Sequence, residues 1–437
     1  MTSTSAPAAR RYRWIICLML FWVTTANYID RGVFSNLAPE LQKNQFHWTD
    51  GQYWYMNMAF SAAYAISLLV VGRLIDVIGL RWGFAFACAF WGLASMSHAL
   101  VTSITGFFIV RILLGFGEGG NFPAAIKTVA EWFPKRERAL ATGLFNSGSN
   151  VGGVLVPVML PLIIPFLNGL TLGGHTIGWR GAFLATGLFD LAWIIVWLKV
   201  YRKPAEHPSV SASELALIQS EPPDPAIKVP WRKLFQYRQA WAFIAGKFMT
   251  DCFWWFYLFV LPIFFQERFG LDPKHRLGPI AIIYVLASVG SVAGGWLSGN
   301  FMKIGWSTNK ARKVTLLICA CLIGPVFIAD LSDSKWVAVA LIAVAAASHQ
   351  AWSANLFSLT SDMFPRRMVG SVTGLGGMVG SVGGILLNYG TGVLKDHGFS
   401  YLPVFVAASV AYLLALVFIH LLVPNMEPAK IEDLPVA

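Results

Sequence analysis

Residues 133–144 read FPKRERALATGL, and residues 364–375 read FPRRMVGSVTGL. The two align without a gap at a constant offset of 231, and the match runs on to Gly152–Gly153 and Gly383–Gly384. Each copy stands after the fourth apolar run of its half. Runs of about 20 apolar residues, the length that crosses a bilayer, recur twelve times. They fall at 14–36, 54–74, 82–102, 105–130, 138–166 and 180–200, then at 239–266, 277–301, 312–330, 336–361, 368–393 and 400–423. The expected fold is an all-α membrane protein with twelve transmembrane helices in two pseudo-symmetric six-helix bundles. The bundles occupy 1–200 and 239–425, with a polar, proline-rich linker at 201–238 and a tail at 426–437. A short surface helix is predicted at Ala212–Ser220 and an amphipathic turn at Trp231–Gln236. Duplicated halves of this kind hold a substrate between them near the midplane.

Composition agrees. The chain is 56% hydrophobic and 13% charged, with mean hydropathy +0.59, against about 25% charged residues in a soluble domain. Eighteen tryptophans and 12 tyrosines suit interfacial belts. A formal charge of +11 raises the question of nucleic acid, but its distribution answers it. Of the 33 Lys and Arg, 23 fall on the N-terminal side of the alternating loops and 7 on the other. The remaining three, Arg31, Arg111 and Lys247, lie inside spans. The positive-inside rule puts both termini and the linker in the cytoplasm. The excess charge is topological, and lipid rather than nucleic acid is the expected surroundings. The five cysteines are apolar-segment residues without metal spacing, so neither a disulfide nor a metal site is expected. Arg10, Arg11 and Arg13 precede an apolar run as in a signal peptide. No small-residue cleavage site follows, however, and a retained first helix is predicted.

Inside the fourth span lies RILLGFGEGGNFP, 111–123. At helical pitch Arg111, Gly115, Glu118 and Phe122 share one stripe. A charge at mid-membrane costs about 3 kcal/mol on insertion scales, so two on one stripe imply a wet cavity or a partner across the bundle. An Arg–Glu pair that only fixes helix packing is the alternative. The glycines at 115, 117, 119 and 120 allow a second backbone or a ligand to come close. The repeat offset sets Glu118 opposite His349 and Asn121 opposite Trp352. In the first span, NYIDR at 27–31 carries Asp30 and Arg31. Neighbours about 100° apart on a helix cannot share a target, so one faces the cavity and the other a neighbouring helix.

GRLIDVIGLR at 72–81 resembles the signature loop of the major facilitator superfamily, Gly-x-x-x-Asp-x-x-Gly followed by basic residues. Twelve spans, a central linker and the half-repeat extend that resemblance to the whole chain. Val77 and Leu80 depart from it where basic residues are usual, and Gly299 replaces the acid in the second-half counterpart GWLSGNFMKIG, 295–305. The resemblance implies a gating role for Gly72, Asp76, Gly79 and Arg81, with a weaker latch on the C-terminal side. NYIDR, RILLGFGEGGNFP and SHQAWSANLFSLTSDMFPRR (348–367) look like the anion:cation symporter branch, and within it like bacterial hexuronate permeases. That implies a multi-pass protein of the bacterial cytoplasmic (inner) membrane importing a sugar acid with protons, sufficient as a monomer and without a cofactor beyond the proton. Asp30 and Glu118 would be its proton-carrying acids, and Arg31 and Arg111 its basic positions.

The remaining candidates follow from residue type. His349, Gln350, Trp352, Ser353 and Asn355 form a polar wall in the tenth span. An aromatic plane beside hydroxyl and amide groups is how proteins grip a sugar. A polar helix contact with a buried histidine is the plainer alternative. Tyr28, Asn121, Trp254 and Asn388 are further candidates, with Trp255, Tyr257 and Ser381 nearby. Lys247 either holds a substrate carboxylate or is neutralised by Asp251, four residues on. Asp190 is read as structural. The glycine runs lack the lysine and strand–helix setting of a phosphate loop, and no catalytic constellation marks an enzyme. Aldonate or aldarate carriage is the nearest alternative, and drug export a more distant one.

Overall fold

The computed structural model describes residues 11–430, apart from 170, 173–174, 222–230, 273–274 and 276. The N-terminal lobe contains α1 (Tyr12–Leu41), α2 (Asp50–Ile78), α3 (Leu80–Ser97), α4 (Ile104–Glu118), α5 (Asn121–Trp132), α6 (Lys135–Asn168) and α7 (Gly178–Val200). The linker contributes α8 (Ala212–Ile218) and a 3-10 turn at Trp231–Gln236. The C-terminal lobe contains α9 (Arg238–Phe269), α10 (Leu277–Lys303), α11 (Thr308–Ile323), α12 (Ile328–Leu331), α13 (Lys335–Met363), α14 (Arg366–Asp396) and α15 (Leu402–Leu422). A two-residue β-ladder, Thr171–Leu172 with His175–Thr176, lies in the α6–α7 loop. The expected twelve-span, two-bundle architecture is present.

Among the described residues ten segments are long and apolar enough to cross a membrane. The two spans that fall short of that measure are the first and fourth, which carry Asp30, Arg31, Arg111 and Glu118. The fourth is also broken, because Gly119 and Gly120 form a turn between α4 and α5. Close packing requires those glycines: a Cβ on Gly117 would stand 2.7 Å from the Trp91 backbone, and one on Gly119 2.7 Å from Ser67 Cβ. Pro123 is tolerated because it sits in the first turn of α5, where amide donors have no helical partner. Elsewhere the ends are ordinary. Thr49 and Gln52 form a reciprocal cap on α2 (3.2 and 2.9 Å). Gly79, at φ +90°, makes the tight turn into α3.

The halves repeat in packing as in sequence. α1 lies on α6, and α9 lies on α14. α2 packs on α4, and α10 on α13. The lobes meet along two equivalent seams, α2 with α14 and α6 with α10. These seams are lined by glycine: a Cβ on Gly374 would come 2.0 Å from the Leu68 carbonyl oxygen, and one on Gly143 2.1 Å from that of Ser291. Outward faces carry exposed apolar side chains such as Leu18, Ile66, Leu162, Val196 and Leu421, together with Trp82, Trp296 and Trp336, as lipid contact requires. The protein is a multi-pass membrane protein.

Candidate functional site

The central charge pair is formed by α1 and α4. Arg31 Nε donates to Glu118 Oε2, and Arg31 Nη2 donates to Asn27 Oδ1 at 3.1 Å. The guanidinium carbon lies 4.4 Å from the Tyr64 ring centre and 4.7 Å from that of Tyr28. Arg111 stands one layer away. It is bonded to Asn57 Oδ1 at 2.9 Å and held over Phe60 and Phe34 at 4.3 and 4.6 Å. The packing alternative of a direct Arg111–Glu118 pair is therefore not what forms: Glu118 pairs with Arg31, and Phe60 separates the two arginines. Arg31 Nη1 and Glu118 Oε1 are buried without a hydrogen-bond partner.

Beside this pair lies a small cavity of about 60 Å³ between the lobes. Tyr28, Tyr64, Phe122 and Asn146 line it from the N-terminal lobe. Lys247, Asp251, Trp254, Trp255, His349, Gln350, Ser353 and Ser381 line it from the C-terminal lobe. Lys247 is ion-paired with Asp251, and its Nζ lies 3.9 Å from the Phe357 ring centre. Trp254 stacks on His349, 5.3 Å between centres and 4° from parallel. His349 Nδ1 meets the Tyr412 hydroxyl at 2.7 Å, and that hydroxyl donates to the Thr250 carbonyl at 3.3 Å. Nε2 has no hydrogen-bond partner among the described residues and is left to a ligand. Gln350 bridges the lobes, accepting from Asn146 at 2.7 Å and donating to Asn150 at 3.2 Å.

Several predicted residues stand outside this cavity. Arg31 and Glu118 adjoin its wall at Tyr28 and Tyr64 without lining it, and Arg111 does not line it either. Trp352 is fully buried against Tyr412, 5.3 Å between ring centres. Asn355 donates to the Gly294 and Ala351 carbonyls, and Asn121 donates to Thr24 at 3.2 Å inside the N-terminal lobe. Tyr257 is buried away from the cavity lining. Asn388 lines a second, mostly apolar cavity with Trp54, Asn57 and Ser61, which shares Trp255 and Ser381 with the first. Asp30 turns from the centre toward α3 and α7 and accepts from Ser95 Oγ at 2.8 Å. Its neighbour there is Asp190, so Asp190 stands beside a site acid rather than alone. Sequence reasoning missed Tyr64, Asn146 and Thr373 as lining residues. For Asn146 the repeat offset carried a signal, since it equates Asn146 with Gly377 and Phe122 with Ser353, and all four line the cavity; Tyr64 and Thr373 map onto Gly295 and Thr142, which do not.

The linker side of the cavity is shut. Asp76 accepts from Lys127 Nζ (2.8 Å) within its own lobe and, across the lobe seam, from the Ser371 amide and hydroxyl (2.6 Å each) and the Gly370 amide (3.3 Å). A Cβ on Gly72 would stand 2.5 Å from the Gly370 carbonyl oxygen. Arg81 instead donates to the Leu198 carbonyl at 2.5 Å, within its own lobe. On the second seam no acid occupies Gly299, whose Cα faces the Arg136 carbonyl. The latch there is built from other residues: Arg138 donates to the Ser361 carbonyl (2.6 Å) and Arg312 to the Lys135 carbonyl (3.0 Å). Both arginines also pair with Asp362.

The chain is 29% identical over 429 residues to the hexuronate transporter of Escherichia coli K12, covering 96% of each. It is 31% identical over 342 residues to the galacturonate transporter of Dickeya chrysanthemi, covering 76% of this chain and 95% of that one. In structure it resembles the fucose:proton symporter of E. coli, with a TM-score of 0.69 over 94% of this chain and 99% of that one at 14% identity. The family profile of the Major Facilitator Superfamily matches residues 20–388, and with two six-helix lobes closing on a charged central cavity, this chain belongs to that superfamily of membrane transporters.

Proposed function

We propose that the protein imports a hexuronate together with protons by alternating access of its two lobes. The observation that carries this reading is the Arg31–Glu118 pair packed against Tyr28 and Tyr64 of the cavity wall, with one donor and one acceptor left unpartnered. A substrate carboxylate arriving at Arg31 competes with Glu118 for the guanidinium. Glu118, stripped of its cation inside the bundle, is then favoured to take a proton. Binding of the anion and binding of the proton are thereby linked. The sugar ring fits the remaining chemistry: Trp254 and Tyr64 supply faces, while His349 Nε2, Gln350 and Ser353 supply hydrogen-bonding groups. In this reading the chain works as a monomer in the bacterial cytoplasmic membrane, with both termini inside and no cofactor beyond the proton.

A second cation, Lys247, lies on the opposite lobe and is also neutralised by a carboxylate. It favours, as a second reading, a dicarboxylate of the aldarate class bridging Arg31 and Lys247. Uptake of labelled glucuronate, galacturonate and galactarate into proteoliposomes, with and without an imposed pH gradient, tests both. Gradient-driven accumulation of the uronates above galactarate is expected. Accumulation of galactarate alone would select the second reading, and gradient-independent uptake would remove proton coupling. Glu118→Gln, which mimics the protonated acid, is expected to abolish uphill accumulation while labelled-for-unlabelled exchange persists.

A further inference from the structure

The geometry points to a second proton-binding site, formed by Asp30 and Asp190 sharing one proton inside the N-terminal lobe, outside the substrate cavity. It rests on the proton-coupled reading above and adds Asp190, a residue that reading does not use. Both side chains are fully buried, on α1 and α7, and face each other across α3, where Ser95 bonds to Asp30 and Gly92 packs on Asp190. Among the described residues neither forms an ion pair; Arg31, next to Asp30 in the chain, is paired with Glu118. Asp30 Oδ1 accepts from Ser95 Oγ (2.8 Å), which is also 3.1 Å from Thr186 Oγ1. Asp30 Oδ2 and both oxygens of Asp190 have no donor when the acids are written as carboxylates. The indole N–H of Trp91, also fully buried and without a firm partner, is directed at Asp190.

Two carboxylates facing each other in a dry interior cannot both stay ionised, and orphaned buried acceptors are costly. One proton between the acids removes the like-charge repulsion and gives each a partner. Among the described residues the surroundings supply neutral donors, the Ser95 and Thr186 hydroxyls at Asp30 and the Trp91 indole at Asp190, and no cation paired with either acid. On α1, Arg31 points to Glu118. On α3, the Cys88 thiol donates to the Asp190 main-chain carbonyl (3.7 Å), and His98, just beyond α3, stacks on Phe183 at 4.8 Å. From α4 the nearest charge is Glu118, another acid. Packing holds the acids together, since a Cβ on Gly92 of α3 would stand 3.0 Å from Asp190 Cβ. Because Asp30 adjoins Arg31 in sequence, a movement of α1 that frees Arg31 also displaces Asp30 from Asp190. The shared proton is then released or replaced in step with the transport cycle.

Two measurements on the full-length protein test this. In the Glu118→Gln background, infrared difference spectra near neutral pH are expected to show a protonated-carboxyl C=O stretch that is lost on adding either Asp30→Asn or Asp190→Asn. Absence of such a band, or its survival in both variants, overturns the shared proton. In proteoliposomes Asp190→Asn offers Asp30 an amide donor in place of an acid, favouring its ionised form. The pH of half-maximal gradient-driven uptake, normalised to exchange, is expected to fall by about one unit, tenfold in proton activity. A wild-type pH midpoint overturns the coupling role. The infrared band needs no transport, so its loss is distinct from failure of the wild type to accumulate any sugar acid, which would overturn the symport itself.

Discussion

Arg31 is the residue on which the site turns, and it is held by geometry that a lysine does not reproduce. Its guanidinium reaches Glu118 and Asn27 at once while lying against Tyr64 and Tyr28. A lysine keeps the charge but loses the planar fork and most of the ring contact. Arg31→Lys is therefore expected to weaken substrate binding by about 10- to 100-fold, the worth of one or two charge-assisted hydrogen bonds of about 1.5–3 kcal/mol. Substrate-dependent quenching of the tryptophans beside the cavity would measure it. Arg111 should behave differently, because it packs on Phe60 and Phe34 and touches neither cavity tyrosine that holds Arg31. Arg111→Lys is expected to lower thermal stability in detergent more than it lowers affinity, and a larger loss of affinity than of stability would place it in direct substrate contact. NYIDR and RILLGFGEGGNFP disclosed these charges as a set. The sequence left the pairing open, and the structure settled it, since Glu118 chooses between Arg31 and Arg111 only once Phe60 is packed between the arginines.

At the level of helices, the two seams are where conformational change is decided. Gly374 on α14 lets the Leu68 backbone approach so closely that no side chain fits between them. Gly374→Ala should hold α2 and α14 apart on the linker side, impairing transport while leaving the cavity intact. Labelling of a single cysteine placed at Ser371 should then become faster than in the parent, and unchanged labelling with full transport would show that the seam tolerates separation. Asp76→Asn keeps shape but loses the charge that attracts Lys127 and two amides. It is expected to shift the closed–open balance by about 10-fold or more, at about 1.5–3 kcal/mol for hydrogen bonds to a charged group. The same labelling assay reports it. The Gly-x-x-x-Asp-x-x-Gly pattern located this latch. Its partner seam was not legible, because Arg138, Arg312 and Asp362 carry no motif and meet only when α6, α11 and α13 converge.

In the whole molecule the linker is a structural part of the closed state. Glu214 of α8 accepts from the Tyr12 and Arg13 amides (2.9 and 3.1 Å), capping α1, and Glu221 accepts from Arg138 at 2.7 Å. His207 fixes the linker's start. Its Nδ1 accepts from the Ser209 amide at 3.1 Å, so Nε2 carries the hydrogen that meets the Val200 carbonyl at 3.1 Å. Burial first, and Arg202 further, hold the ring's pKa below the ordinary imidazole value, against the Val200 carbonyl and Glu214. A folded-state pKa below the free value means that docking is complete above the ordinary range and weakens as pH falls through it. Proteolytic cutting of the linker should therefore be faster at about pH 5.5 than at 7.5, on either side of an unperturbed value of about 6.5. His207→Gln should remove that pH dependence, and a cutting rate independent of pH in the parent protein would count against docking through the neutral ring.

By itself the sequence determined the number of spans, their division into two halves and the segments that carry charge. Those depend on hydropathy and on repeated residue types, both of which are written along the chain. Only tertiary structure decided which acid meets which base, why Trp352 and Asn355 leave the cavity to His349 and Ser353, and that Asp190 stands against Asp30. Each of these depends on the rotation of one helix against another. That rotation is set by contacts between residues such as Gly92 and Asp190, or Phe60 and both arginines, which lie far apart in the chain and share no local pattern.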